Sequence, residues 1–84
     1  MKLSFTEKGF DKYLYWQAED RKILSRINKL IKSIERDGVL SGLGKPEHLK
    51  YVNKYSRRID EKNRLVYTID QDEIIIFSCL GHYE

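Results

Sequence analysis

Between Asp20 and Gly38, the residues Ile23, Leu24, Ile27, Leu30, Ile31 and Ile34 recur along one face of a helix. Beyond Pro46 that spacing gives way to an alternation of two. A chain of 84 residues has room for one core only. Its helical part therefore has to bury its stripe against its own strands. The economical arrangement is a single α+β domain over residues 1–84.

The rest of the chain fits this frame. Met1 to Phe5 alternates as a short first strand. Thr6 is placed to cap a first helix, with Glu7 in its first turn. Phe10, Tyr13, Leu14 and Ala18 recur at helical spacing along it, despite Gly9. Asp20 caps the second helix, whose polar side carries Arg26, Lys29, Lys32 and Arg36, and Gly38 ends it. So tight a junction predicts an antiparallel helical hairpin. Ser41 to Pro46 is a loop by composition. Leu49 and Tyr51 then suggest a short strand, Tyr55 to Asp60 another, and Arg64 to Asp70 a third. The last two are joined through Asp60-Glu61-Lys62-Asn63. A final strand runs from Glu73 to about Tyr83, apolar enough in its middle to lie in the centre of the sheet. The order is β-α-α-β-β-β-β, a mainly antiparallel sheet with the helical hairpin on one face.

Charge narrows the function. Residues 1–42 carry nine cations and six anions, interleaved, whereas residues 45–64 carry seven cations and three anions. From Leu65 onward there is no Lys or Arg. Clustered cations suit a polyanion or a developing phosphate charge. The single cysteine, Cys79, sits in an apolar run and excludes an internal disulfide or a multi-cysteine metal site. It reads as a small buried hydrophobe. Neither a signal-peptide core nor a stretch long enough to span a membrane is present, so a soluble, cytoplasmic protein is expected.

Cleavage of RNA by its own 2′-hydroxyl needs a base, an acid for the leaving 5′-oxygen, and cations on the transition state. Glu47 is a candidate base, held in place by the stiff Pro46 before it. On composition alone it is a solvated carboxylate balancing Lys45 and Lys50, and its placement after Gly44-Lys45-Pro46 is what favours the base. His82 is a candidate acid, since imidazole releases a proton near neutral pH. The alternative is an idle histidine near the end of the chain. His48 follows Glu47, and strand geometry turns it away. Arg64, Arg58 and Lys50 are candidate phosphate ligands, with Arg58 on the strand before Arg64 across a short hairpin, so that the two are able to converge on one sheet face. They also suit edge cations that deter aggregation. Strand parity separates Lys50 from Glu47 unless the chain near Pro46 is irregular. Tyr83 is able to stack on a base, or else closes the core.

Five stretches resemble one family in order and spacing. They are Tyr13-Leu14-Tyr15-Trp16-Gln17, Arg26 to Lys32, Gly44-Lys45-Pro46-Glu47-His48-Leu49-Lys50, Ser56-Arg57-Arg58-Ile59 with Asn63-Arg64-Leu65-Val66-Tyr67, and His82-Tyr83. Together they are similar to the YoeB/Txe toxins of the RelE/ParE superfamily. The resemblance implies a microbial-ribonuclease-like fold and a type II toxin–antitoxin toxin. Such a toxin enters the ribosomal A site and cleaves mRNA without a metal or other cofactor. It implies Glu47 as base, His82 as acid, Arg64 as transition-state stabiliser, Lys50 and Arg58 as phosphate ligands, and Tyr83 as a substrate-placing group. Its implied partners are a YefM/Axe-like antitoxin, the ribosome and its message, promoter DNA for the toxin–antitoxin complex, and a second copy in a homodimer. The alternative function is a non-catalytic, ParE-like module that acts on a protein target. The sequence departs from the family in two places. Tyr51 to Tyr55 is shorter than its usual counterpart and lacks the customary glycine, and Glu84 follows the His-Tyr pair.

Overall fold

The computed structural model describes residues 1–82. The elements follow the expected order: β1 (Lys2–Phe5), α1 (Glu7–Glu19), α2 (Arg21–Asp37), β2 (Glu47–His48), β3 (Tyr55–Arg58), β4 (Arg64–Asp70) and β5 (Glu73–Ser78). They form one five-stranded sheet in the order β1-β5-β4-β3-β2. The β1–β5 pairing is parallel and the other three are antiparallel. The fold is thus α+β, with two helices packed on a mixed, mainly antiparallel sheet.

Local chemistry sets the helix ends. The Thr6 hydroxyl accepts from Gly9 N at 3.0 Å, and Asp20 Oδ1 accepts from Lys22 N and Ile23 N at 3.0 and 3.2 Å. Asp20 serves as C-cap of α1 and N-cap of α2, so the two helices meet at one residue. Tyr13 Oη donates to Asn28 Oδ1 at 2.8 Å, which ties the two helices across that junction. At the far end α2 stops on Gly38, whose φ of 97° lies where glycine is favoured.

The α2 stripe forms the core as read from the sequence. Ile27, Leu30, Ile31 and Ile34 are buried with Leu65, Tyr67, Ile74, Ile76 and Cys79. The first helix behaves differently. Its buried residues are Gly9 and Trp16, while Phe10 and Leu14 remain 47% and 42% exposed. Gly9 does not weaken α1; it permits contact. A Cβ there would lie 2.4 Å from the Ile76 carbonyl oxygen, so only glycine lets α1 approach β5 this closely. Trp16 fixes the other end, its Nε1 donating to Cys79 O at 2.8 Å.

Three strands end earlier than expected, β3 among them, which stops at Arg58 rather than Asp60. The strand around Leu49 and Tyr51 is instead Glu47–His48, and the chain turns at Lys50 and Tyr51, with Tyr51 at φ 66°. The final strand stops at Ser78 rather than near Tyr83. Val66 pairs with Ser78 and Tyr67 with Ile76, so β5 holds an extra residue, Phe77, and bulges there. The expected burial of β5 on both faces is only half realised: Ile74, Ile76 and Ser78 are buried, and Glu73, Ile75 and Phe77 partly so.

Candidate active site

The basic stretch divides at two consecutive arginines. Arg57 pairs with Leu65 and Arg58 with Arg64 across the β3–β4 ladder. Opposed residues in a ladder share a face, and neighbours along a strand take opposite ones. Arg57 therefore points to the helix side and is fully buried. Its Nε donates to Tyr67 Oη at 2.9 Å. Its Nη1 donates to Ser33 Oγ and Leu43 O at 2.9 and 2.8 Å, and Nη2 to Gly38 O and Ser41 O at 2.7 and 2.6 Å. One guanidinium thus fixes the whole loop between α2 and β2.

That loop delivers Glu47. Gly44 O accepts from Arg58 N at 2.6 Å, two residues before Pro46. A Cβ on Gly44 would meet Leu30 Cδ2 at 2.7 Å and Arg57 Cβ at 3.0 Å, and its φ is 87°. The loop is therefore pressed onto the core just before the strand that carries the carboxylate. Glu47 pairs with Ser56, and Ser56 with Val66. By parity Glu47, Arg58 and Arg64 all lie on the sheet face opposite the helices. The Glu47 carboxylate is 3.5 Å from Arg64 Nη1, with the Glu47 side chain 51% exposed and that of Arg64 13%. A half-exposed carboxylate beside a largely sheltered guanidinium leaves a substrate room to meet both.

His82 reaches this place by a bend rather than on a strand. Arg64 N donates to Gly81 O at 2.9 Å, and Gly81 N donates to Asn63 Oδ1 at 2.8 Å. The backbone immediately before the imidazole is therefore clamped to the residue that faces Glu47. Asn63 is itself buried and is held by Asp60, whose Oδ1 accepts from Lys62 N and Asn63 N at 2.8 Å each. Burial works against the charge on Asp60, but the donors from Lys62 and Asn63 outweigh it and draw its pKa below the ordinary value.

A carboxylate and a guanidinium thus meet on one sheet face, and the backbone one residue before an imidazole is clamped to the same arginine. Residues 5–83 match the family of YoeB-like toxins of bacterial type II toxin–antitoxin systems. The chain belongs to that family. Toxin YoeB of Synechocystis is 49% identical over 86 residues, covering 100% of this chain and 99% of the relative. Among solved structures, YoeB in a heterotetrameric YoeB–YefM complex from Staphylococcus aureus is 47% identical, with a TM-score of 0.92 over 99% of this chain and 98% of that one. A YoeB dimer from the same organism gives 0.93 at 47% identity, again over 99% and 98%.

In this YoeB-like chain, three of the six residues singled out from the sequence share one sheet face, Glu47, Arg58 and Arg64, and His82 follows the residue clamped to Arg64. Lys50 sits exposed on the turn after β2, where the regular parity that separated it from Glu47 no longer applies. Tyr83 lies outside the described residues, as does Glu84. His48 takes the opposite face from Glu47. Its ring lies 4.8 Å from that of Tyr55, and its Nε2 is 3.0 Å from Val52 O. Among the described residues there is no cluster of His, Cys, Asp and Glu able to hold a metal, and no helix is long and apolar enough to cross a membrane. Sequence reasoning passed over two supporting residues. Arg57 was legible only through its parity with Leu65. Asn63 was legible through the Asp-x-x-Asn turn that begins at Asp60.

Proposed function

We propose that this toxin is an endoribonuclease that cleaves mRNA in the ribosomal A site by attack of the 2′-hydroxyl on the adjacent phosphate. One observation carries the reading. The Glu47 carboxylate lies 3.5 Å from Arg64 Nη1, and a backbone bond from Arg64 reaches Gly81, the residue before His82. Glu47 takes the proton from the 2′-hydroxyl. That oxygen forms a bond to phosphorus while the bond to the 5′-oxygen breaks. His82 delivers a proton to the departing 5′-oxygen, and Arg64 stabilises the charge that grows on the phosphoryl oxygens. Arg58 and Lys50 hold the flanking phosphate, and Tyr83 places the substrate. The products are a 2′,3′-cyclic phosphate, which can open to the 3′-phosphate, and a 5′-hydroxyl. These protein groups suffice for the reaction without a metal.

The solved relatives support the partners. YoeB of Staphylococcus aureus occurs with YefM in a heterotetramer and also as a dimer. For this chain we assign a YefM-like antitoxin, a homodimeric state, binding of promoter DNA by the toxin–antitoxin complex, and action in the cytoplasm where the message is translated. Induced expression followed by primer extension on a cellular message tests the chemistry. New 5′-hydroxyl ends should appear with the native chain and disappear with Arg64→Ala. Toxicity without such ends would point to a ParE-like module acting on a protein target.

A further inference from the structure

A second cationic cleft is lined by the start of α1, the end of β5 and Lys54, the residue before β3. Lys8, Lys12 and Lys54 line one cleft of about 600 Å³ with Phe77, Ser78 and a single carboxylate, Glu7. Two of its ammonium groups are held in place. Lys54 Nζ sits 4.3 Å from the centroid of the Phe77 ring, and Lys12 Nζ donates to Ser78 Oγ at 3.1 Å. Cations fixed by a ring and a hydroxyl have already given up much of their side-chain freedom, so an anion that binds them costs less ordering. Neither is neutralised by a salt bridge among the described residues. Phe77 is the extra residue of the β5 bulge, and it lines the cleft together with its neighbour Ser78.

The register links this cleft to the active site. Glu47 pairs with Ser56, Ser56 with Val66, and Val66 with Ser78, one row across four strands. Three strand spacings place Ser78 about 14 Å from Glu47, backbone to backbone. A short length of single-stranded RNA spans that interval.

We propose that the Lys8–Lys12–Lys54 cleft is a phosphate subsite for single-stranded RNA, engaging the backbone of the strand a few nucleotides from the bond cut at Glu47 and His82. The proposal rests on the ribonuclease reading for the identity of the strand, but its test does not require cleavage. The probe is a series of 2′-O-methyl oligoribonucleotides, two to six nucleotides long, which cannot be cut by 2′-hydroxyl attack. Binding is followed by fluorescence anisotropy across a range of salt concentrations. For the native chain, extension from two to six nucleotides should tighten binding at least tenfold. The Lys12→Gln/Lys54→Gln chain should lose that gain, and its slope of log affinity against log salt should fall by roughly 0.7 for each phosphate contact removed. Arg64→Ala should weaken all lengths alike and keep the gain. If the double variant does not fold, Lys8→Gln, an exposed replacement, should remove part of the same slope.

The proposal is overturned if the native chain shows no gain with length, if it binds none of the series, or if the lysine variants match it in affinity and slope. Lysine-dependent binding of a poly-glutamate peptide in place of RNA would also overturn it, assigning the cleft to an acidic protein segment. A persistent length gain in a chain that yields no 5′-hydroxyl ends would uphold the subsite and refute the ribonuclease reading.

Discussion

Arg57→Met removes the guanidinium that ties α2, the loop after it and β4 together. The side chain is fully buried and makes five hydrogen bonds, two to the hydroxyls of Ser33 and Tyr67 and three to the carbonyls of Gly38, Ser41 and Leu43. Hydrogen bonds to a charged group contribute about 1.5–3 kcal/mol each, which sums to a gross loss of roughly 7–15 kcal/mol. Two effects reduce that figure. The native state no longer has to desolvate a cation, a cost of several kcal/mol, and the three carbonyls are only partly buried and regain water. The net expectation is a loss of about 3–5 kcal/mol, a large share of the roughly 5–15 kcal/mol that holds a domain together. For a chain this short, each kcal/mol lowers the midpoint temperature by about 4–8 °C. Urea unfolding followed by circular dichroism gives the value directly. Arg58→Met, one residue along and exposed, should cost less than about 1 kcal/mol in the same assay. A loss below about 1 kcal/mol for Arg57→Met, or equal losses at the two positions, would refute the assignment of Arg57 to the scaffold.

Three further outcomes test other parts of the structure. Gly44→Ala drives a Cβ to 2.7 Å from Leu30 Cδ2 at a φ of 87°; it should cost about 1–3 kcal/mol in urea unfolding, and a neutral effect would contradict the packing of the loop ahead of Glu47. Tyr51 is 98% exposed at φ 66°. Tyr51→Gly should therefore stabilise the chain by about 0.5–1 kcal/mol, the left-handed strain relieved minus the extra freedom of the unfolded glycine, and destabilisation would count against that turn. Burial pushes the Cys79 thiol up to about 12, from an ordinary 9.0, despite the opposing pull of Lys12. The fold favours the neutral thiol, so this contribution is complete below the unfolded value and is lost as pH rises from about 9 toward 12. The urea midpoint of Cys79→Ala should fall less steeply across that window than that of the native chain; parallel declines would show the thiol is not shielded.

The readable parts of this fold are those written in neighbouring residues. Thr6 and Asp20 announce their helices because a cap acts within three residues, and the α2 stripe needs only its own period. The β4 strand was bounded correctly at Arg64 and Asp70 because a polar turn flanks each end. Gly9 was read as a flaw in α1 because its reason, the Ile76 carbonyl oxygen 2.4 Å from any Cβ, lies far along the chain. Arg57 and Arg58 are identical in type and adjacent, and only the partner strand decides which is scaffold and which is site. The strand expected to carry His82 ends at Ser78; after it, the clamp from Asn63 and Arg64 onto Gly81 does the positioning. Glu47 and Arg64 were named separately from the sequence. Their meeting at 3.5 Å depends on the β2–β3–β4 register, which short-range pattern does not encode.

The central claim is that Glu47 and His82 exchange protons with one RNA linkage while Arg64 holds its charge. Single-turnover cleavage of a ribosome-bound message tests it, comparing the native chain with Glu47→Gln, His82→Ala and the two combined, each first shown to fold. Each single replacement should slow cleavage by about a hundred-fold or more, with 5′-hydroxyl ends on whatever product remains. Cleavage at the native rate by either single variant, or products bearing 5′-phosphates, would contradict it.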